Sequence, residues 1–216
     1  MTTLTEIWPF FGLTLRTPRL ELRVIRDEDI PRYADAALSG IHPPDEMPFT
    51  VPWTRAPAAE LRVETARWVW QSRIGTGPAK WTIPFGVWNA DGDFLGAQDL
   101  VATNFANLRT VSSGSWLKQS VQGQGLGTEM RAAVLGYAFD FLGAGFALSE
   151  ANTDNARSLG VSHSLGYRDN GVGLSSWKDG EVHAKQQLRL AAADFRRPDW
   201  TVGVSGHDAV ARFLEL

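Results

Sequence analysis

One segment constrains this chain more than any other: Gln122-Gly123-Gln124-Gly125-Leu126-Gly127-Thr128. The stretch before it, Arg109–Leu117, reads as a strand. From Gly125 to about Leu142 the apolar residues Leu126, Met130, Val134, Tyr137 and Phe141 fall on one helical face. A strand must therefore become a helix through three glycines. Glycine lets a backbone approach a ligand closely. The first turn of a helix presents unpaired N–H groups and the positive end of the helix dipole. Together these hold a pyrophosphate without basic side chains. The bland alternative is a tight turn with no ligand. A dinucleotide fingerprint fails, because counting Gly-x-Gly-x-x-Gly from Gly123 puts Thr128 at the last glycine. A nucleotide P-loop fails, because the chain contains no Gly-Lys pair.

The rest of the chain frames that turn. Leu20–Ile25 alternates like a strand, and Asp29 opens a helix with apolar face Ile30, Tyr33, Ala34, Ala37 and Leu38, ended by Gly40. Ile41–Pro57 carries five prolines together with Met47, Phe49 and Trp53. A loop this long and apolar either packs under the domain or lines a cleft. A second helix is expected over Ala58–Ile74, stopped by Gly75. Thr82–Trp88 and Phe94–Ala102 read as strands joined through Asp91-Gly92. Phe146–Glu150 is a short strand, and Asp154 caps a helix ending at Gly166. Gly171–Trp177 and Val182–Leu190 form a hairpin turned at Asp179-Gly180. A short helix is expected near Ala209–Leu214. The expected class is α+β, a mixed and mostly antiparallel sheet flanked by helices, in one domain over 1–216 with a core at about 16–190 and a C-terminal extension at 191–216.

Composition narrows the chemistry. The chain has 216 residues, a net charge of −3 and no run of Lys and Arg, which argues against a nucleic-acid partner. With no cysteine there is no disulfide, no zinc–cysteine site and no thiol nucleophile. No metal site is expected, because His42, His163, His183 and His207 show no ligand spacing. No apolar stretch reaches membrane length and Met1–Phe11 lacks a signal pattern, so the expected compartment is the cytoplasm, with no membrane partner.

Gln122, Gly125 and Gly127 match the Gln/Arg-x-x-Gly-x-Gly/Ala signature of the GCN5-related N-acetyltransferase (GNAT) superfamily. Downstream, Asn155-Ala156-Arg157-Ser158 and Leu165-Gly166-Tyr167 resemble its Asn-x-x-Ser and Leu-Gly-Phe/Tyr elements. Leu15–Arg23 is similar to the opening strand of the RimJ/RimL-type branch, as is Thr128-Glu129. The resemblance spans about Arg16 to Leu190. It implies a GNAT-like fold and an acyl-CoA-dependent N-acyltransferase that moves an acetyl group from acetyl-CoA to a primary amine in a ternary complex. Succinyl-CoA as donor, or a silent CoA-binding module, are the alternatives. The resemblance implies that Trp116, Leu117 and Lys118 lie along the pantetheine arm. It implies that Gln122, Gly123, Gln124, Gly125, Leu126, Gly127 and Thr128 hold the pyrophosphate, and that Asn155 bonds the pantetheine. The implied catalytic groups are the Leu117 N–H as oxyanion donor and Ser158 as the acid at the leaving thiolate. The base is left open by the sequence, with Glu150, Asp99, Asp45 and Glu46 as the candidate carboxylates. Asn170 stands where the branch often carries Glu. A donor ending in a carboxylate would need a cation near the thioester, with Lys118 and Arg109 as candidates. The partners are then acyl-CoA and an amine, protein-borne or small, with a homodimer possible.

Overall fold

The structure is a computed structural model that describes residues 1–49, 51–176 and 180–216. In chain order its elements are α1 (Leu4–Ile7), β1 (Thr14–Arg16), β2 (Glu21–Val24), α2 (Ile30–Leu38), α3 (Ala58–Ile74), β3 (Lys80–Trp88) and β4 (Phe94–Thr103). They continue with α4 (Phe105–Leu108), β5 (Thr110–Ser112), β6 (Ser115–Leu117), α5 (Leu126–Gly136), β7 (Phe146–Asn152), α6 (Ala156–Ser164), β8 (Arg168–Ser176), β9 (Val182–Ala191), β10 (Gly203–Ser205) and α7 (His207–Phe213). The strands form one sheet in the order β10-β1-β2-β3-β4-β5-β7-β9-β8, with β6 beside β4. Neighbours are antiparallel except β5 and β7, which are parallel. This is the expected mixed, mostly antiparallel sheet.

Helices cover both faces. Adjacent strand residues point to opposite faces. Ser115 reaches Arg131 on α5, whereas Trp116 donates its indole N–H to the Tyr33 hydroxyl on α2 at 3.1 Å. One apolar cluster therefore gathers around α5 with Phe85, Leu100 and Tyr137, and a second gathers beneath α2 and α3 with Tyr33, Leu61, Val69 and Trp116. Glu129 in the first turns of α5 is buried. It accepts from Thr17 Oγ1 at 2.6 Å, Arg19 N–H at 3.0 Å and Arg19 Nε at 2.6 Å. These donors offset its desolvation and explain why the Thr17-Pro18-Arg19 turn and Thr128-Glu129 act as one unit.

Several expectations change. The single strand at Arg109–Leu117 is two strands broken at Ser113-Gly114. The cap of α6 is Asn155, whose Oδ1 accepts from the Ser158 N–H at 3.0 Å, and not Asp154. The helix after the glycine turn is α only to Gly136 and closes as a π turn over Tyr137–Phe141. The extension contains β10, which pairs with β1. The ends of the expected hairpin turn, Trp177 and Asp179, lie outside the described residues.

Candidate active site

The site is a fork in the sheet. β5 runs beside β7 with Thr110 opposite Phe146 and Ser112 opposite Leu148. Ser113 and Gly114 then divert the chain, and β6 follows β4 alone, Ser115 opposite Gln98 and Leu117 opposite Gly96. Asp99 causes the diversion. Its N–H donates to the Gly114 carbonyl at 2.9 Å, its carboxylate accepts from the Gly114 N–H, and Gln98 Nε2 adds a bond to that carbonyl at 2.9 Å. Beyond Leu148 the edge of β7 that faced β5 runs on unpaired among the described residues, so β6 and β7 splay. The resulting cleft has a volume of about 1380 Å³.

Alternation aims the backbone into this notch. The Lys118 N–H is spent on the Leu95 carbonyl of β4 at 2.8 Å. Successive residues of a strand turn their amides to opposite edges, so the Leu117 N–H faces the notch. The Leu117 carbonyl, on the same edge, accepts from Gln122 Nε2 at 2.8 Å. The same nitrogen donates to the Ile41 carbonyl at 2.6 Å, and Gln122 Oε1 accepts from Arg157 at 3.3 Å. Gln122 thus ties β6, the Ile41–Pro57 loop and α6 together.

The glycine turn forms the mouth of the cleft. Gly123 and Gly125 have φ of +77° and +79°, the left-handed region that glycine occupies at little cost. A Cβ on Gly123 would enter open space, so the backbone there is bare to the cleft. Gly125 is the N-cap of α5 and supplies no capping side chain, which leaves the first amides of the helix without a side-chain acceptor. Arg19 Nη1 donates to the Gln124 carbonyl at 2.9 Å, and Arg157 lines the cleft close by. Bare amides at a helix start with two guanidinium groups beside them suit a pyrophosphate, and this donor set fits CoA.

Of the residues named from the sequence, Trp116, Leu117, Gln122, Gly123, Gly125, Gly127, Thr128, Glu150, Asn155 and Ser158 all line this one cleft. Leu126 is buried in the core, the Gln124 carbonyl is taken by Arg19, and Lys118 lies off the cleft wall. Asn155 is doubly engaged, as the cap of α6 and as a donor to the Pro48 carbonyl at 3.3 Å. The Ser158 hydroxyl makes no hydrogen bond among the described residues. Glu150 pairs with Lys185 at 3.0 Å and is about half exposed. Asp99 stands across the notch. Burial pushes its carboxyl up to about 6, against the lowering effect of the Gly114 N–H and of Arg131.

On the α2–α3 side, Phe49, Trp53, Trp68 and Trp116 form an aromatic wall beside Asp99. The Ile41–Pro57 loop supplies two of the four, so it both packs against α2 and α3 and lines the cleft. His42 is held at both ring nitrogens, by the Pro43 carbonyl and by Thr54 Oγ1, each at 2.8 Å. The sequence patterns do not single out Arg131, yet it is buried on the cleft floor. Arg109 is exposed and lies off the cleft wall. Among the described residues no group of three or more His, Cys, Asp and Glu could hold a metal ion, and no helix is long and apolar enough to cross a membrane.

The cleft is a fork between two strands of the sheet with a glycine-opened helix at its mouth. Residues 19–168 match the family model for the acetyltransferase (GNAT) domain, and the chain belongs to that family. Solved structures share the fold. RimJ of Mycobacterium smegmatis in complex with CoA-disulfide is 19% identical with a TM-score of 0.65, over 94% of this chain and 95% of that one. The spermidine N-acetyltransferase of Vibrio cholerae, with CoA and spermine, is 14% identical with a TM-score of 0.62, over 82% and 98%. RimL, a ribosomal L7/L12 alpha-N-protein acetyltransferase in complex with coenzyme A, is 17% identical with a TM-score of 0.62, over 82% and 97%.

Proposed function

We propose that the protein transfers an acyl group from an acyl-CoA to a primary amine by direct attack within the forked cleft. The observation that carries this reading is the pairing of the inward Leu117 N–H with the uncapped glycine turn, at the apex side and the mouth of one notch. The amides from Gly123 to Thr128 bind the pyrophosphate, with Arg157 adding charge. The donor supplies an activated thioester. The Leu117 N–H donates to the thioester carbonyl oxygen as negative charge builds there.

The amine must shed a proton to attack, since its reference pKa lies near ~8 for an α-amine and ~10.4 for a lysine. Asp99 takes that proton. Its carboxyl, raised to about 6, is still ionised at neutral pH and is a stronger base than an ordinary carboxylate. Glu150 shares the cleft, but its carboxylate is spent on Lys185. As the amine nitrogen bonds to the carbonyl carbon, the C–S bond breaks, the Ser158 hydroxyl gives its proton to the departing thiolate, and the remaining proton shed by the new amide nitrogen restores that hydroxyl through solvent. The chain has no cysteine to carry the acyl group, which favours a ternary complex over an acyl-enzyme. The aromatic wall of Phe49, Trp53, Trp68 and Trp116 suits an amine with an apolar body.

The test is release of free thiol from acetyl-CoA and succinyl-CoA across a panel of α-amines, lysine peptides and small amines, with the products weighed by mass spectrometry. An N-acylated amine and an enzyme of unchanged mass are expected. A stable acyl-enzyme would replace direct transfer with a two-step route. CoA binding without turnover of any amine would favour the silent-module reading.

A further inference from the structure

Arg131 is the least accounted-for group in the cleft. It rises from α5 on the floor of the fork and is 4% exposed. Its guanidinium reaches Ser115 Oγ on β6 at 3.1 Å, Ser149 Oγ on β7 at 3.2 Å and Gln98 Oε1 on β4 at 3.4 Å. It therefore spans the two strands where they part. All three partners are neutral, and Arg131 makes no ion pair among the described residues. A buried cation is normally paired, because neutral acceptors return only part of the lost hydration.

The surroundings repeat the imbalance. The Tyr167 hydroxyl has only loose polar contacts with Arg131 and Ser113, and neither it nor the buried Ser113 hydroxyl makes a well-formed hydrogen bond. Guanidinium N–H and two hydroxyls converge with too few acceptors to satisfy them. A carboxylate supplies about four acceptor sites and matches the planar fork of an arginine. Asp99 does not fill this role. It lies on the opposite face of β4 from Gln98, one of its oxygens accepts from the Gly114 N–H, and it acts on Arg131 only through space. Lys118 and Arg109 do not reach the cleft wall, so Arg131 and Arg157 are its arginines, and Arg157 sits at the mouth beside Gln122.

We propose that Arg131 forms a carboxylate-recognition subsite at the apex of the fork, so that one of the two substrates carries a carboxylate close to its reacting group. The proposal rests on the acyl-transfer reading above and narrows its substrate class. The carboxylate comes either from the acyl group of the donor, as in a dicarboxylic acyl-CoA, or from an amine acceptor of amino-acid type. In both cases it enters between β6 and β7 and pairs with Arg131, with Ser113 and Tyr167 as supporting donors.

Equilibrium binding to the full chain separates the possibilities. The donor arm compares CoA, acetyl-CoA and succinyl-CoA. The acceptor arm compares phenylalanine with phenylalaninamide on the CoA-loaded chain. A charge-assisted bond in a buried site predicts a preference of about tenfold to a hundredfold for the carboxylate-bearing probe in one arm. That ratio should fall toward one in Arg131→Met and recover in part in Arg131→Lys. A preference in the donor arm assigns the carboxylate to the acyl group, and one in the acceptor arm assigns it to the amine. Absence of preference in both arms of the wild-type chain overturns the proposal without need of a variant. So does a preference that survives in folded Arg131→Met. Failure of CoA itself to bind is a different result and removes the acyl-transfer reading beneath it.

Discussion

Gln122 Nε2 donates to the carbonyl oxygen of Leu117 at 2.8 Å, and so one side chain fixes the mouth of the cleft relative to its apex. The bond matters because, in the proposed reaction, the two halves of the site act on opposite ends of one donor. The pyrophosphate turn and the inward Leu117 N–H have to stay in register. The same amide nitrogen holds Ile41, which adds the loop carrying Phe49 and Trp53 to the unit.

Gln122→Ala should therefore act on both binding and rate. The Leu117 and Ile41 carbonyls lose a shared donor, at about 1–3 kcal/mol for buried groups left unbonded. Acyl-CoA affinity and kcat should both fall, by about tenfold each, with secondary structure intact. A fall in affinity alone would show that Gln122 organises only the turn.

In the proposed reaction Asp99 sets the pH dependence. A base must be deprotonated, so kcat/KM should be lost as pH falls through about 6 and level off above it, until ionisation of the acceptor amine adds its own rise. Asp99→Asn should lower kcat/KM by about 10²–10⁴-fold and remove the limb near pH 6 while keeping the amine limb. If the limb persists in the variant, another group is the base and Glu150 is next to test.

Ser158→Ala should lower kcat with little change in donor affinity, because protonating the thiolate matters only along the reaction. The expected loss is about ten- to a hundredfold, toward the low end of general acid catalysis. Full kcat in this variant would leave Ser158 as a residue of the α6 surface and move the acid elsewhere.

The C-terminal extension should prove part of the fold. β10 pairs with β1, Leu15 opposite Val204, and Phe213 of α7 packs edge-on against Trp8 and Phe10 at 5.3 Å. Deleting residues 201–216 removes the fully buried Val210 and Leu214. The loss is about 3–6 kcal/mol for two such side chains, on the order of 10 °C in Tm. An unchanged melting curve would make the extension an appendage.

Much of this was legible in the chain itself. Ala58–Ile74 could be read to the residue, because Pro57 and Gly75 bracket it. The glycine turn and the Asn155–Ser158 element fall on one cleft, because backbone-driven features sit in local sequence. What failed was tertiary in origin. The run Ser112-Ser113-Gly114-Ser115 marks a break in Arg109–Leu117, but the fork it opens depends on the bonds between Gly114 and Asp99 on another strand. β10 is three residues long, and its partner lies at the other end of the chain. Arg131 sits in a helix buried from Glu129 through Gly136, and charge on a helix otherwise reads as a solvated face.

The central claim is that the turn from Gly123 to Thr128 binds the pyrophosphate of CoA. Its most direct test is calorimetric titration of CoA into the wild-type chain and into Gly125→Val. A β-branched residue at φ +79° is strained, and its methyls would crowd the amides that hold the phosphates. The account predicts clear binding to the wild type and a loss of at least about a hundredfold in a folded variant, on the order of 2.7 kcal/mol. Equal affinity in the two folded proteins would place the donor elsewhere and contradict the account.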